Sequence, residues 1–424
     1  MGCSTYTFCP KRMTFLISTS HLKRASVCII FGFVFTQLFA QQTDGANLTA
    51  SLPTTADSLI QSPATPDSLP KKRGLIKKVI DYFRDSNKPK PQNKVDFGVL
   101  PGPHYSSTTG LGLGIIGTAT YTTDAADSTL ARSNASVYTD MTTGGYFMVG
   151  LRGTHLFPKE KYRFDYKLKL STFSTQFWGI GFTNGENDSN ETDYRLNNIN
   201  AMGRFMFKLA HNTYLGPFVN YRFFQARSID PAFEHLWNGQ KRKLNIYTAG
   251  ISFTYDSRDF MLNAKKGVFL QLDQTFSPRF LGNKNYGFST TEVTFATYGK
   301  LWKGAVLAGE LHGQFNYGHT PWAVMSAVGS NDRMRGYYEG RYRDQNLIEG
   351  QIELRQHIKG RNGIVLWVGM ANAFDNFNNM AWRKNLYNAG FGYRWEFKKG
   401  INVRIDYGLT PDGGGFIFNI NEAF

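Results

Sequence analysis

Cysteine is almost absent from this 424-residue chain, and the three that occur, Cys3, Cys9 and Cys28, all lie near the amino terminus. Long apolar runs are also missing. Beyond residue 40 no stretch of about 18 apolar residues occurs, which excludes a helical membrane protein there. Acidic residues are scarce, 32 against 48 basic ones, so the formal charge is +16. This excess is spread along the chain, so the sequence contains no concentrated nucleic-acid patch.

Aromatic residues and glycine are abundant. Aromatics make up 15% of the chain, and 43 of the 424 residues are glycine, above the usual share of about 7%. Together with many β-branched residues, these aromatics exclude disorder for most of the chain. The composition therefore predicts a β-rich protein that places aromatic side chains outside one ordinary core.

Residues 1–40 have the pattern of a secretory signal peptide. Lys23 and Arg24 precede an apolar run that ends at Ala40, and Met13 is an alternative start. The competing interpretation, a membrane anchor, is disfavoured because the run is shorter than about 20 residues. Cleavage after Ala40 leaves no cysteine and reduces the formal charge to 44 − 32 = +12, so we expect neither disulfides nor thiol chemistry.

Two segments precede the main domain. Residues 41–70 are rich in Thr, Ser, Pro, Ala and Asp, which predicts a disordered linker. Two Asp-Ser-Leu tripeptides in it, 57–59 and 67–69, resemble an O-glycosylation signal of some Gram-negative bacteria. Residues 71–96 read as a basic amphipathic helix followed by a proline-rich break. The helix either caps the next domain or, over 74–85, contacts anionic lipid or an unknown periplasmic protein.

From residue 97 to Phe424 apolar and polar residues alternate. In 348–358, for example, Ile348 and Ile352 fall on one face, whereas Glu349 and Glu353 fall on the other. A polar face rich in large charged groups, opposite an aromatic-studded one, predicts an all-β transmembrane barrel with about 16 antiparallel strands. The predicted strands are 110–121, 133–142, 145–154, 161–173, 176–183, 193–208, 213–226, 244–256, 267–277, 286–300, 304–317, 347–358, 363–372, 385–398, 401–409 and 414–424.

The predicted connections alternate in length. Those after odd-numbered strands, such as 122–132 and 318–346, are mostly long, whereas those after even-numbered strands, such as Thr143-Gly144 and Ser174-Thr175, are mostly tight. Short turns lie on the periplasmic side of such barrels and long loops lie outside. We therefore expect both ends of the barrel domain in the periplasm and the chain in a Gram-negative outer membrane, in contact with its lipid.

Catalytic and cofactor motifs are weak or missing. Gly112, Gly114 and Gly117 match the dinucleotide fingerprint by letters, but a strand continues where a helix is needed. Glu349 and Glu353 are two neighbouring carboxylates that read better as solvated or ion-paired wall residues. The eight histidines lack metal-ligand spacing. We expect no enzyme activity, no cofactor and no metal.

Three segments resemble the BamA/TamA-type outer-membrane barrels of the bacterial surface antigen superfamily. The first is Tyr255-Asp256-Ser257-Arg258-Asp259 with the later Lys266-Gly267, the second is Arg335-Gly336-Tyr337, and the third runs from Gly390 to Phe424. The resemblance covers roughly 97–424. It implies a periplasmic turn at Asp256, Arg258, Asp259 and Gly267, and a sixth outer loop folded into the lumen.

The resemblance also implies a loop anchor. A guanidinium in a lumen needs a carboxylate, and the family's partner position on the twelfth strand is Glu353 here, so Arg335, Gly336, Tyr337 and Glu353 form the expected anchor. The alternative interpretation is that Arg335 lies on a solvated outer loop and has no lumenal partner. The family's further Asp on the thirteenth strand is replaced by Gly369, so we expect a simpler charge network. The family's periplasmic POTRA modules have no counterpart in residues 41–96.

Two functions remain open. The first is a surface-antigen barrel without POTRA modules that assists insertion, assembly or translocation of another molecule through a seam between its first and last strands, weakened by Gly110, Gly112, Gly114 and Gly117. The alternative is a passive pore or a structural or adhesive barrel. Phe424, on the lipid-facing parity of Phe416, Phe418 and Ile420, resembles the terminal signal read by the outer-membrane assembly machinery.

Overall fold

The structure is a computed structural model that describes residues 95–106, 110–124, 132–283, 285–398 and 400–424. The predicted signal peptide (1–40), linker (41–70) and amphipathic helix (74–85, within 71–96) lie outside the described residues. Those parts of the sequence analysis stay predictions.

Sixteen long strands and one two-stranded hairpin make up most of the described chain. They are β1 (Val95–Ser106), β2 (Gly110–Tyr121), β3 (Ser133–Thr142), β4 (Phe147–Leu156), β5 (Tyr162–Phe177), β6 (Thr192–Ala210), β7 (Thr213–Arg227), β8 (Lys243–Asp256), β9 (Gly267–Ser277), β10 (Phe288–Lys300), β11 (Ala305–Gly318), the hairpin β12 (Ser326–Ala327) and β13 (Arg343–Asp344), β14 (Asn346–Lys359), β15 (Asn362–Phe374), β16 (Leu386–Lys398), β17 (Ile401–Thr410) and β18 (Gly413–Ile420). One α-helical turn, α1 (Phe182–Glu186), and short 3-10 turns at Pro158–Glu160, Asp188–Asn190, Pro231–Trp237, Arg279–Leu281, Trp322–Val324, Phe377–Asn379 and Trp382–Lys384 lie between strands.

The sixteen long strands pair antiparallel with their neighbours in the chain, and β1 meets β18 to close the barrel. Side chains alternate between two environments along each strand. On β14, Ile352 is 55% exposed whereas Glu353 is fully buried. Since the exposed apolar residues form the outer surface, the charged residues of the same strands face the barrel interior. The predicted all-β class and sixteen-stranded antiparallel sheet are confirmed.

Most of the long connections lie at one end of the barrel. The segments 178–191, 228–242, 278–287, 319–345 and 375–385 share one end, whereas tight turns such as 211–212 and 360–361 share the other end with Val95 and Phe424. Within the described residues no helix is long and apolar enough to cross a membrane.

Two strand assignments from the sequence are wrong, and they cancel in the count. The prediction misses β1, whose sequence carries Pro101 and Pro103, and splits β5, which runs through Ser174-Thr175 without a turn. Because of the missed strand, the predicted sides of the first connections are inverted. The end of β2 at Tyr121 and the start of β3 at Ser133 lie at the end that carries the termini, and the Thr143-Gly144 turn lies at the long-loop end.

An aromatic core lies at the barrel mouth beneath the long loops. Trp237 and Trp322 are almost fully buried, and their rings pack edge to face at 4.7 Å. Trp322 also donates from Nε1 to the Lys241 carbonyl at 3.0 Å. The remaining members come from the strand ends and loops around the same mouth: Phe177, Tyr194, Leu196, Phe224, Ala226, Leu236, Leu244, Ile246, Tyr286, Phe288 and Val324. We call this cluster the outer aromatic core.

Candidate functional site

Arg335 lies at the tip of the 319–345 segment and is fully buried. Its Nη2 donates to Glu353 Oε2 at 2.6 Å, and its Nη1 donates to Asp406 Oδ2 at 2.8 Å. The guanidinium also stacks 3.7 Å from the ring centre of Trp367. Two carboxylates and an aromatic face compensate the desolvation of this charge, so Arg335 anchors the segment to the interior wall formed by β14, β15 and β17.

Close backbone contact explains the glycine beside this arginine. Gly336 adopts φ +108°, and a Cβ there would lie 2.9 Å from the backbone of Gly408. A Cβ on Gly408 would in turn lie 2.2 Å from the Arg335 carbonyl oxygen. Both positions therefore exclude larger residues. Tyr337 completes the tip and donates from its hydroxyl to the Tyr387 carbonyl at 3.0 Å.

The charges around Arg335 form a closed ring that is richer than the sequence predicted. Glu353 also accepts from Arg355 at 2.7 Å, and Asp406 also accepts from Arg394 at 2.5 Å. Glu422 closes the ring, 2.7 Å from Arg394 and 3.9 Å from Arg355. We call the alternating set Arg335, Glu353, Arg355, Glu422, Arg394 and Asp406 the charge ring. The expectation of a simpler network is wrong, because Asp406 on β17 supplies the second carboxylate that Gly369 does not.

The carboxy-terminal tail, residues 421–424, turns into the barrel. Strand β18 ends at Ile420, and Asn421 adopts a left-handed conformation with φ +71°. The Glu422 side chain is 2% exposed, and the Phe424 carbonyl accepts from Arg355 Nη2 at 2.9 Å. The Phe424 ring packs beside Tyr298 in a cluster with Ala264, Ala296 and Ala308. The predicted lipid-facing position of Phe424 is therefore wrong, because the turn at Asn421 reverses the parity that Phe416 and Phe418 establish.

The turn between β8 and β9 carries the first family-like segment. Arg258 donates to both carboxylate oxygens of Asp256, at 2.9 and 2.7 Å. Asp259 accepts from the Lys265 amide at 2.8 Å. Burial alone would raise the pKa of Asp259, but backbone hydrogen bonds outweigh it and hold this pKa below its ordinary value. Gly267, at φ +110°, is required because a Cβ would lie 2.4 Å from the Ser257 carbonyl oxygen.

This turn meets the tail across the mouth that carries the termini. The Leu262 carbonyl accepts from the Glu422 amide at 3.3 Å. The Ala264 carbonyl accepts from Arg355 at 3.4 Å, and a Cβ on Gly400 would lie 2.5 Å from the Phe260 ring. The 257–266 turn therefore contacts β14, the β16–β17 turn and the tail.

The junction between β1 and β18 is short. Among the described residues it pairs Tyr105 with Phe418 and Ser106 with Ile417, whereas β1 pairs with β2 along its whole length. Strand β18 is eight residues long, and proline, present at 101 and 103, offers no ladder N–H. The predicted seam glycines, Gly110, Gly112, Gly114 and Gly117, lie in β2, which pairs on both sides. Their assignment to the seam is therefore wrong, because β1 was missed.

Glu349 and Glu353, the two neighbouring carboxylates singled out in the sequence, do not share a partner. Glu349 Oε1 accepts from His312 Nδ1 at 2.9 Å, so it has a different partner from Glu353. Sequence reasoning missed Trp367, Arg394, Asp406 and Glu422. The inward parity of Asp406 was readable from 401–409, but its distance in the chain from Arg335 gave no sign of the contact. Among the described residues no group of His, Cys, Asp and Glu has the geometry of a metal site.

Comparisons with known proteins agree with this architecture. The model of the Omp85 superfamily domain matches residues 136–424. BamA from Haemophilus ducreyi lacking POTRA domains 1–3 is similar in structure, with a TM-score of 0.54 and 12% identity over 78% of this chain and 71% of that one. CdiB from Escherichia coli (TM-score 0.53) and CdiB from Acinetobacter baumannii (TM-score 0.50) are each 12% identical over 78% of this chain.

This chain spans 64% and 60% of those two CdiB chains, respectively. A search of curated proteins found no significant match. At 12% identity the structural likeness supports the fold, whereas the family model covers more than half of the sequence. The chain therefore belongs to the Omp85 superfamily and is an outer-membrane β-barrel of a Gram-negative bacterium.

Proposed function

We propose that this barrel assists the insertion, assembly or translocation of another macromolecule at the outer membrane, and that the β1–β18 junction is the part that opens. The observation that carries the proposal is the two-position junction beside ladders that are far longer. Strand pairing stabilises a barrel by closing its edges, so the shortest ladder is the one that opens at least cost. The backbone of β1 before Tyr105 then offers an edge to which an incoming strand adds.

The occupied interior supports a lateral route rather than a central one. The charge ring fixes the 319–345 segment against β14 and β17, and the outer aromatic core packs Trp322 of the same segment at the long-loop mouth. Neither feature suits a passive diffusion pore, whose lumen is water-filled.

A disulfide across the junction tests the proposal. Tyr105→Cys with Phe418→Cys places thiols on partnered residues, within the range that a disulfide bridges. The native cysteines lie in the predicted signal peptide, so the predicted mature chain carries no competing thiol. In cells that depend on the variant, oxidation should lower the amounts of a subset of outer-membrane or secreted molecules several-fold, and reductant should restore them. Quantitative mass spectrometry of the envelope gives the readout.

The matched control uses the other neighbour of the same residue. Tyr105→Cys with Leu111→Cys locks β1 to β2, which are already paired along their whole length, and should leave the envelope unchanged. Equal envelope profiles for the locked and reduced β1–β18 variant would refute opening at this junction.

The alternative is a passive pore or a structural or adhesive barrel. A pore predicts large, steady, ohmic conductance steps in planar bilayers, whereas the proposed function predicts closed or erratic records. An adhesive barrel predicts that cell attachment changes on deletion while the envelope proteome does not.

A further inference from the structure

Cations on the interior face of β4, β5 and β7 differ from the other interior cations of this barrel. Several other interior arginines pair with a carboxylate: Arg163 with Asp165 at 2.9 Å, Arg204 with Asp273 at 2.9 Å and Arg258 with Asp256 at 2.7 Å. The charge ring follows the same rule. Arg152, Lys167, Lys169 and Arg222 do not, because among the described residues no carboxylate lies within 4.0 Å of any of them. We call these four residues the cationic wall.

The register brings these four side chains together. Arg152 on β4 is the direct cross-strand partner of Lys167 on β5. Lys169 lies two residues further along the same face, and Asn200 of β6 separates it from Arg222 of β7. Directly opposed like charges destabilise a sheet. Fold stability therefore gives no reason for this arrangement.

The cationic wall faces the interior and is accessible. The neighbouring Leu151, Leu168 and Leu170 lie on the exposed outer surface, so Arg152, Lys167 and Lys169 point inward. Arg152 and Lys167 are nevertheless exposed to solvent, within the barrel. Arg222 adds a buried Nε donor that has no acceptor among the described residues.

Among the described residues no acid forms a direct ion pair with the wall. Asp140 and Glu339 act on Lys169 through space, and Glu292 acts on Arg222. Glu292 is itself engaged with His312 at 3.3 Å. A face lined by one sign of charge within low-dielectric walls concentrates ions of the opposite sign.

The interior also contains a cavity near the mouth that carries the termini. This cavity of about 170 Å³ lies at that end of β5 and β6, lined in part by Arg163, Arg204 and Arg258. Because each of these arginines is already paired, the cavity is close to neutral, and a ligand that enters it meets unpaired cations only further along β5.

We propose that the cationic wall is a binding site for a phosphate-bearing anion inside the barrel. Several cations around one small area suit an anion with more than one negative charge better than a single carboxylate. Arginine forks and lysine ammonium groups are the usual protein partners of phosphate oxygens. The phosphate belongs either to a small soluble molecule or to a lipid headgroup.

Calorimetric titration of the purified barrel in non-ionic detergent tests the site. Inorganic pyrophosphate represents the soluble source, and phosphatidic acid in mixed micelles represents the lipid source. Lys167→Gln with Lys169→Gln should weaken binding of the preferred probe at least tenfold. The matched pair Lys300→Gln with Lys303→Gln removes two exposed lysines elsewhere and should change it less than twofold.

Folding is checked by heat-modifiable gel mobility. If the double variant does not fold, Arg152→Gln alone replaces it, with the same tenfold expectation. Binding of pyrophosphate that the wall variants lose supports the site with a soluble ligand, and binding of phosphatidic acid that they lose supports it with a lipid. Binding of neither probe, or equal binding by parent and variant, overturns the proposal.

Discussion

At the scale of single residues, the buried pairing of Arg335 has a measurable cost when broken. Arg335→Ala and Glu353→Ala should each destabilise the folded barrel by about 3–5 kcal/mol, because each leaves buried charge without its partner. The double variant should be little worse than either single one, since the two residues share one interaction. External protease cleavage of the 319–345 segment and the thermal unfolding midpoint give the two readouts. Lys at position 335 should rescue poorly, because an ammonium cannot contact Glu353 and Asp406 as a planar fork does.

A matched arginine in the same segment provides the control. Arg341 pairs at 2.7 Å with Asp188, whose side chain is 83% exposed. Arg341 itself is 14% exposed and also lies 3.4 Å from Asp412, but its acids remain in contact with solvent. Arg341→Ala therefore leaves no fully buried carboxylate without a partner and should make the segment far less protease-sensitive than Arg335→Ala does. Simple additivity of Arg335→Ala and Glu353→Ala, or cleavage of the segment in the parent protein, would contradict the anchor.

Asp344, in the 319–345 segment, makes the free energy of unfolding depend on pH. Burial raises the pKa of this carboxyl to about 6, and the neighbouring Asp375 carboxylate adds to the effect. An unfolded aspartate ionises near pH 4, so between about pH 4 and pH 6 the folded protein holds the extra proton. The free energy of unfolding therefore falls as pH rises through this window and then stays level.

The variant Asp344→Asn should abolish this fall in the free energy of unfolding, because an amide does not titrate. It should resemble the parent near pH 4 and exceed its stability by about 3 kcal/mol at pH 7.5, since the pKa of Asp344 shifts by about two units and each unit corresponds to 1.36 kcal/mol. Unfolding midpoints from tryptophan fluorescence at both pH values provide the comparison. A constant difference between variant and parent across the pH range would show that Asp344 does not titrate in this window.

At the scale of elements, the tail joins the last strand to the opposite wall. Removing residues 421–424 deletes Glu422 from the charge ring and the Phe424 carbonyl from Arg355. The 257–266 turn then loses its contacts with the tail and should become sensitive to protease added from the terminus-bearing side. The parent protein should resist cleavage at this turn. Equal protease sensitivity of the parent and the truncated variant would show that the tail does not hold the turn in place.

Changes at Phe424 alone distinguish packing inside the barrel from recognition by the assembly machinery, two roles that removal of residues 421–424 would affect together. If its ring only packs in the barrel, Phe424→Ala should lower stability both in cells and after refolding in detergent. If it is also read by the assembly machinery, deletion should lower the folded yield in cells by more than the detergent measurement explains, with export across the inner membrane intact. Heat-modifiable mobility reports both values, and an unchanged yield in both settings would remove Phe424 from either role.

The sequence reveals most strands because alternation is a local property. Strand prediction from alternation fails at β1, because two prolines and two glycines obscure the pattern. It also fails at Ser174-Thr175, because two polar residues near the end of β5 resemble a turn. Anchor residues were accessible only where parity or a family-like motif marked them, as at Arg335 and Glu353. Asp406 and Glu422, the two acids of the charge ring that the sequence analysis missed, lie 71 and 87 positions beyond Arg335 in the chain. Only the fold brings them into one cluster with Arg335.

At the scale of the whole molecule, both mouths are occupied. The outer aromatic core and the 319–345 segment fill one, and the 257–266 turn with the tail lies across the other. The purified barrel should therefore show no large steady conductance in planar bilayers. Replacing 321–343 by a short glycine linker should produce large ohmic steps, because it removes Trp322 and Arg335 together.

Deleting only the tail is the internal control for this measurement. It leaves the outer aromatic core intact, so it should raise conductance far less than the loop replacement does. Steady large steps in the unmodified protein would favour the passive pore over the proposed function.

The inward turn of the tail also bears on the order in which the chain becomes a barrel. The seat of Phe424 contains Tyr298 from β10, Ala308 from β11 and Arg355 from β14, which are translated well before it. Phe424 therefore finds its place only after the middle of the wall has formed. Without residues 421–424, Arg355 keeps Glu353 but loses the Phe424 carbonyl and the Glu422 carboxylate. Three arginines of the charge ring would then face two carboxylates, so the tail supplies the negative charge that the wall strands leave unbalanced.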